Sequence, residues 1–485
     1  MKFKEILVGI MTGSMLASCH GDLDVDITSA ITSTNMWTEE GDATAAMYGL
    51  YYEMRQAFNY RYLTWGDLRN GLWGDGYGSE TTRVQLYQNQ LSSDLSGADW
   101  SYIYTTINQA NIILKHVPDM DISDEDTKNE ILANAYFVRA FCYYWIARIW
   151  GDAPIVLVGY ESMDEDLYPS RDPVEDVFDQ VGSDIDQALA YMPSSVTERN
   201  TASEATIQML KADYNLWLYK VRDGGSTALS DAETAVQAVL DNSSYSLEDN
   251  YADVFDIDNE LGDEIIFAWS MVQDEYEDGY PEYFLMISSY VPEDLWENPV
   301  KVGSSGQWSM YTDEYIELLT ENENDQRAIV NYESYYSEDD ETTWQWINKF
   351  AGTWSDDTRI FDSDIVVYRF AEAYLFDAEI KMEQGDISGA VASLNKIAER
   401  AYGESDYYST SMSLSDLSDA ILTERMKEFP AEGKLWWDFI RMGVVFEMNE
   451  YLTGREDEEN VLLWPVSQDA LDTNPNITQT SGYDE

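Results

Sequence analysis

Between residues 65 and 78 the chain places Trp65, Asp67, Arg69, Asn70, Trp73, Asp75 and Tyr77 among Gly66, Gly74, Gly76 and Gly78. Flat rings beside carboxylate, amide and guanidinium groups suit a sugar, because a pyranose offers an apolar face ringed by hydroxyls. The helical period is lost from about Tyr60 to Asp99, so this stretch is expected to run as a long loop, the kind of segment that carries binding residues. A second stretch with the same mixture runs from Tyr276, Tyr280 and Tyr283 through Trp296 and Trp308 to Tyr311. The candidate ligand-binding set is Asp67, Arg69, Asn70, Trp73, Asp75, Tyr77 and Trp100, with Arg83 beside them, and Tyr280, Trp296 and Trp308 from the second stretch. Trp73 and Trp308 are favoured as platforms, because glycine neighbours imply exposed turns.

Cys19 carries a different chemistry. The apolar run Ile6 to Ala17 follows Lys2 and Lys4, the order of a secretory signal, and it is too short for a membrane span. Leu16, Ala17 and Ser18 lead directly into Cys19, as a lipoprotein signal peptidase requires. The expectation is a signal peptide over 1–18, acylation of Cys19, and an acidic leader over 19–37 containing Asp22, Asp24 and Asp26. At about 0.8 kcal/mol per buried methylene, several acyl chains hold a folded domain at a membrane without a transmembrane helix. The domain then lies outside the cytoplasm.

Composition removes several functions. With 92 acidic and 28 basic residues the formal charge is -64, which repels nucleic acid and leaves the lipid anchor as the expected contact with membrane. A 44% hydrophobic, 14% aromatic composition is that of a folded protein, not a disordered acidic chain. The chain has two histidines, so a Ser-His-Asp or Cys-His system would rest on His116, and a His-rich zinc site cannot be assembled. Cys142 has no disulfide partner once Cys19 is acylated, and it reads as a small buried hydrophobe. Asp256, Asp258 and Glu260 alternate as calcium ligands do, but Leu261 stands where the loop needs glycine and Phe267 where it needs a carboxylate. No catalytic residue, metal or cofactor is therefore assigned; a structural calcium stays open, behind the reading of a solvated acidic loop.

The elements that must position these residues are mainly helices. Apolar periodicity begins near Thr38 with Ala43, Met47, Leu50, Tyr51 and Met54, and resumes from Tyr102 to Leu114. From Asp126 to Trp150 two apolar stripes leave little polar face, and Gly151 supplies the stop. Helix pairs are expected at 172–192 with 203–222, 363–384 with 387–402, and 414–429 with 433–447. Gly385-Asp386 and the small residues Ala373, Ala378, Ala390 and Ala398 suggest tetratricopeptide-like packing. Residues 245–362 break the pattern and are expected as loops, a few short strands and one helix near 312–320. The fold expected is mainly α: one large domain over 38–485, with a helix-pair scaffold at about 38–244 and 363–450 around a loop-rich, ligand-facing insertion. Trp145, Trp217, Trp436 and Trp437 belong to its core.

Several blocks in order resemble the SusD/RagB family of outer-membrane nutrient-binding lipoproteins from Bacteroidetes. The Ala135–Tyr144 helix with Trp150-Gly151-Asp152-Ala153-Pro154 is similar to the family's arginine-alanine-aromatic helix and its Tyr-Gly-Asp-x-Pro turn, with Trp150 in place of tyrosine. Arg369 to Leu375 with Ala378-Glu379 resembles its Arg-x-Ala-Glu-x-x-Leu helix. Glu424-Arg425, Glu428, Glu432-Gly433 and Asp438 to Arg441 match its glutamate-arginine block, with Lys434 where arginine is commoner. Pro465, Asn474-Pro475, Gln479 and Gly482-Tyr483 resemble its ending, although Ser467 breaks the Pro-x-Pro.

The resemblance implies a lid on a SusC-like TonB-dependent outer-membrane transporter, facing the cell exterior and capturing an oligosaccharide or polysaccharide fragment without catalysis. Two alternatives stand beside it. One is a structural lid of weak ligand affinity; the other is a surface glycoside hydrolase, for which no motif isolates a carboxylate pair. Arg139, Glu372, Glu379, Glu424, Arg425, Asp438 and Arg441 are expected as structural ion pairs and helix caps, not ligand contacts.

Overall fold

A computed structural model describes residues 36–78, 80–162, 167–272 and 279–483. Cys19, the signal segment and the leader up to residue 35 lie outside the described residues, as does Tyr276. The first helix, α1 (Glu40–Gly66), starts where the Asp42 carboxylate accepts the N–H groups of Thr38 and Glu39 at 2.8 and 2.9 Å. It kinks at Asn59 and continues to Gly66, through sequence expected as loop. Residues 61–66 are buried on all sides, so they lack the polar half of an amphipathic period although the helix persists. Gly66 is required there, since a Cβ would meet the Gly433 carbonyl oxygen at 2.0 Å.

The remainder of the expected loop holds a short strand, β1 (Trp73–Asp75), and a helix, α2 (Thr81–Tyr87). Next come α3 (Ser101–His116) and α4 (Glu125–Trp150). The Asp124 side chain caps α4, Gly151 with φ +73° ends it, and every residue from Ile131 to Trp150 except Tyr136 is buried. Arg139 on α4 donates to Asp184 at 2.8 and 2.6 Å and to Asn111 on α3 at 2.7 Å, so one guanidinium ties three helices.

Three more helices follow: α5 (Val174–Tyr191), α6 (Glu204–Val221) and α7 (Gly225–Leu240). The sequence pairing of 172–192 with 203–222 is shifted by one helix: α5 packs chiefly on α4, and α6 on α7. The reason lies in the connections, since only three residues separate α6 from α7, which favours an antiparallel hairpin.

The insertion contains β2 (Ile265–Trp269), β3 (Met286–Ile287), β4 (Val302–Gly303), β5 (Ser309–Tyr311), α8 (Asp313–Thr320), α9 (Ala328–Asn331), β6 (Glu333–Ser337), β7 (Thr342–Trp346), β8 (Thr353–Ser355), β9 (Thr358–Ile360) and β10 (Ile365–Arg369). They form two-stranded sheets, with β1–β5, β2–β10, β6–β7 and β8–β9 antiparallel and β3–β4 parallel. Residues 365–369, expected as the start of a helix, are a strand buried on both faces, as their β-branched and aromatic composition permits. Part of the insertion has its own core, built from Leu285, Met286, Val291, Val300, Val302, Trp344 and Trp346.

The chain then returns to helices: α10 (Phe370–Glu383), α11 (Ile387–Tyr402), α12 (Leu414–Glu428), α13 (Leu435–Arg441), α14 (Val445–Met448) and α15 (Gln468–Thr473). Contacts between α7 and α10 join the two helical halves across the insertion. The architecture is mainly α in a single domain. Trp145, Trp217, Trp436 and Trp437 are all in the core.

The charged residues of the C-terminal blocks meet in the interior. Arg369, fully buried at the end of β10, reaches Glu264 at 2.8 Å and Glu432 at 2.9 Å, and also Glu428. Arg327 reaches Glu424 and Glu428, Lys349 reaches Glu432 at 2.9 Å, and Arg425 bridges Glu372 and Asp438. Burial alone would push the Glu428 carboxyl up, but Arg400, Arg369 and Arg327 outweigh it and hold it well below the usual carboxylate range. Among the described residues, no helix is long and apolar enough to cross a membrane.

Candidate functional site

The two aromatic stretches that sequence separates by some two hundred residues are joined by β1 and β5. Trp73 lies opposite Tyr311, Gly74 opposite Met310 and Asp75 opposite Ser309. The pairing extends past the strand, with the Gly76 N–H donating to the Trp308 carbonyl at 3.3 Å and the Gly78 N–H to the Gln307 carbonyl at 2.7 Å. Gly76 permits this approach, because a Cβ there would sit 2.4 Å from the Gln307 oxygen. Gln307 is buried and donates to the Phe284 and Gln345 carbonyls at 2.9 and 2.8 Å. The Tyr87 hydroxyl holds the Trp308 carbonyl at 3.2 Å, and the Tyr77 hydroxyl donates to the Thr343 carbonyl at 2.8 Å.

On this support stands a shelf of two half-buried rings. Tyr283 and Trp308 stack with centroids 3.4 Å apart and planes within 7° of parallel. The Arg83 guanidinium carbon sits 4.5 Å from the Trp308 ring centroid. Because Tyr283 fills one face of the indole, Arg83 lies over the other. Burial lowers the Arg83 pKa from its usual value, against smaller opposing effects of Tyr87, Tyr60, Tyr283 and Glu80. The shelf thus combines half-buried aromatic rings and a guanidinium fork, with exposed Tyr77 and Asp75 alongside. Aromatic surface beside charged and polar groups is the mixture that a sugar, apolar on its faces and ringed by hydroxyls, can use.

Most of the residues singled out from sequence are placed elsewhere. Asp67 is fully buried, accepting N–H bonds from Gly433 at 2.7 Å and Leu435 at 3.2 Å, and its burial pushes its carboxyl pKa well up. Arg69 is equally enclosed, with its pKa lowered to about 10 by burial, and it donates to Asn89 and to the Val461 and Leu462 carbonyls. Asn70 accepts the Leu72 N–H at 2.8 Å and shows no surface. These three polar groups hold the base of the loop instead of facing a ligand.

The expectation of an exposed Trp73 is corrected too. Its ring is 3% exposed, stacked on Phe284 at 5.7 Å and edged by Tyr311 at 4.8 Å, because register with β5 turns it inward. Tyr280 is 2% exposed, its hydroxyl bonded to the Ala431 carbonyl at 3.0 Å. Trp100 is buried against Trp150, at the wall of a separate crevice of about 500 Å³ that Tyr104, Tyr160 and Ile477 also line. Trp296 packs on the insertion's own core and donates to the Val291 carbonyl at 2.9 Å. Of the candidate set, Trp308, Tyr77 and Asp75 come together at the surface, with Arg83. Tyr283 belongs to the second stretch and Tyr60 begins the first, and neither stands in the candidate set. Trp308-to-Tyr283 backbone pairing at 3.1 Å brings those two rings together, and local sequence carries no sign of it.

Metal chemistry finds no cluster here: among the described residues, no group of three or more His, Cys, Asp or Glu side chains is placed to hold an ion. The Asp256 carboxylate caps the Asp258 N–H at 2.9 Å, and Glu260 accepts the Asp364 N–H at 2.9 Å. Cys142 is a free thiol, buried, with its pKa pushed up by burial.

Two family models match the chain. One, described as SusD family, matches residues 306–483, and one described as "Starch-binding associating with outer membrane" matches residues 68–211. SusD-like protein P38 of Formosa agariphila is 25% identical, with 99% of this chain and all of that protein covered. A SusD-like protein of Bacteroides ovatus is 25% identical over 90% of this chain and 82% of its own length. Among solved structures, B. fragilis NanU superposes with a TM-score of 0.83 at 26% identity, covering 95% of this chain and all of NanU. A SusD superfamily protein of Bacteroides vulgatus gives 0.80 at 25% identity, covering 92% of this chain and all of that one.

Proposed function

The chain belongs to the SusD/RagB family, and on that premise we propose that it is a cell-surface nutrient-binding lipoprotein which captures oligosaccharides and passes them to a TonB-dependent outer-membrane transporter, without cleaving them. The observation that carries the reading is the parallel Tyr283–Trp308 pair, half-buried on a support whose Tyr283, Gln307 and Trp308 carbonyls each accept a hydrogen bond. Such a pair, with Arg83 over the indole, gives a sugar a fixed aromatic edge beside a guanidinium fork at little entropic cost, because both rings are already held. The description of the second family model, starch-binding with outer-membrane association, agrees with it. Cys19 supplies the anchor in this reading.

Isothermal titration of the full chain with a panel of oligosaccharides tests the proposal. Binding in the micromolar to millimolar range is expected, with a 10- to 100-fold loss of affinity in Trp308→Ala and no new reducing ends over hours. Cleavage of the oligosaccharide, or affinity indifferent to Trp308, would falsify it. Mass spectrometry of the protein isolated from cells should find an acylated Cys19 as the first residue.

A further inference from the structure

The arginines of this chain divide unequally. Most of those in the interior close on a carboxylate, as Arg139 does on Asp184 and Arg369 on Glu264. Others, such as Arg55, Arg69 and Arg171, close on backbone carbonyls. Arg61 and Arg83 do neither. Among the described residues, no acceptor of either kind lies within hydrogen-bond or ion-pair reach of their guanidiniums, although acids outnumber bases 92 to 28. Arg61 is 6% exposed, and its Nε is buried without a partner.

What surrounds the two guanidiniums is aromatic. Arg83 sits 4.5 Å from the Trp308 centroid and 5.8 Å from that of Tyr60. Arg61 sits 4.9 Å from Tyr60 and 3.9 Å from Tyr102, which is 45% exposed. The kink at Asn59 immediately precedes Tyr60 and Arg61, so the departure from helical geometry sets where both side chains emerge. The result is a row in which rings and guanidiniums alternate, continuing the sugar shelf: Tyr283, Trp308, Arg83, Tyr60, Arg61, Tyr102. A guanidinium held by its face keeps its N–H donors in its own plane, where they remain available to an oxyanion.

We infer that this row is an anion-reading extension of the shelf, which selects oligosaccharides carrying ring-borne carboxylate or sulfate groups over neutral ones. The inference rests on the sugar-binding reading of Trp308 and Tyr283 and deepens it. The rings hold the two guanidiniums in place, and Arg83 and then Arg61 take the oxyanions of successive sugars, as charge-assisted bonds that a neutral hydroxyl makes more weakly. At about 0.15 M salt, charges beyond about 8 Å are screened, so these two guanidiniums outweigh the protein's distant negative charge at the contact. Glu80, exposed at the start of α2, is the acidic neighbour that acts on Arg83, and it is not ion-paired with it.

Matched titrations of the full chain decide the matter, using tetragalacturonate against its methyl ester, a chondroitin sulfate tetrasaccharide against its desulfated form, and maltotetraose as the uncharged reference. The expected result is at least tenfold tighter binding of one acidic probe than of its matched partner, and the pair that shows it tells carboxylate from sulfate. Arg83→Gln should cut that preference by tenfold or more, and Arg83→Lys should restore part of it, since charge returns without the planar fork. Arg61→Gln should cut it too; because Arg61 is buried, its melting curve accompanies the measurement, and the Arg83 pair stands if that variant unfolds. Equal affinity for acidic and neutral probes at a shelf still sensitive to Trp308→Ala overturns this inference alone. No sugar binding of any kind overturns the sugar-binding reading, and the inference with it.

Discussion

Two groups of arginines show how one side chain serves opposite ends. In the interior, Arg327, Arg369, Arg400 and Arg425 are enclosed and each meets one or more carboxylates, so the buried charge is balanced even though Arg400 Nε and Arg425 Nη1 find no acceptor of their own. Beside the shelf, Arg61 and Arg83 meet only rings. The first arrangement makes the charge indispensable to folding, because an unpaired partner would remain in the low-dielectric interior. The second leaves the donors free for something that is not part of the chain. An acceptor within the chain, carboxylate or carbonyl, and not burial alone, separates a structural arginine from a recognition arginine in this molecule.

The largest effect should come from breaking the interior set. Arg369→Met leaves Glu264, Glu428 and Glu432 short of a cation, and a loss of about 3–5 kcal/mol is expected in urea unfolding followed by tryptophan fluorescence. A loss under about 1 kcal/mol would mean that the network is solvated and the contrast false.

Acidification tests the same set without mutation. Glu428, Glu432 and Asp438 are buried, which opposes ionisation, yet Arg400, Arg369, Lys349, Arg425 and Arg441 hold their pKa values below the ordinary ones. Depressed folded values contribute stability that is complete above the unfolded pKa, near 4, and is lost as pH falls beneath it. Glu260 and Asp364 run the other way: burial raises them to about 7 and about 6, so they favour folding increasingly as pH drops from 7 towards 5. Stability should therefore rise slightly from pH 7 to about 5 and fall steeply below about 4.5. A midpoint that declines steadily from pH 7 would contradict the raised Glu260 and Asp364, and one that holds level below pH 4 would contradict the buried ion pairs.

The smallest effect should be that of Arg83→Gln on folding. Its contacts are ring faces, worth roughly 0.5–1 kcal/mol, so the unfolding midpoint should barely move while ligand preference changes. A loss comparable to that of Arg369→Met would place Arg83 among the structural arginines.

Much of this could be read in advance, and the failures have physical causes. Helices such as α4 announced themselves through apolar stripes and a terminal glycine, and the charged blocks read as structural were found as buried ion pairs. The extension of α1 to Gly66 was hidden because a helix buried all round shows no polar period. Asp67, Arg69 and Asn70 looked like ligand contacts because polar residues in a glycine-rich stretch usually face water. Here that stretch is overlaid by Gly433, Leu435 and residues 461–462, which arrive from nearly four hundred residues away.

Trp73 and Trp308 mark the boundary between the two kinds of knowledge. Sequence by itself determined that both lie in irregular, glycine-flanked segments of a mainly helical, strongly acidic protein, since composition and periodicity act locally. Only the tertiary structure decided which ring meets solvent. Pairing of β1 with β5 turns Trp73 onto Phe284 and Tyr311, while the backbone bond from Trp308 to Tyr283 leaves the second indole stacked at the surface. In a strand, side-chain direction follows register, and register here depends on a partner more than two hundred residues distant.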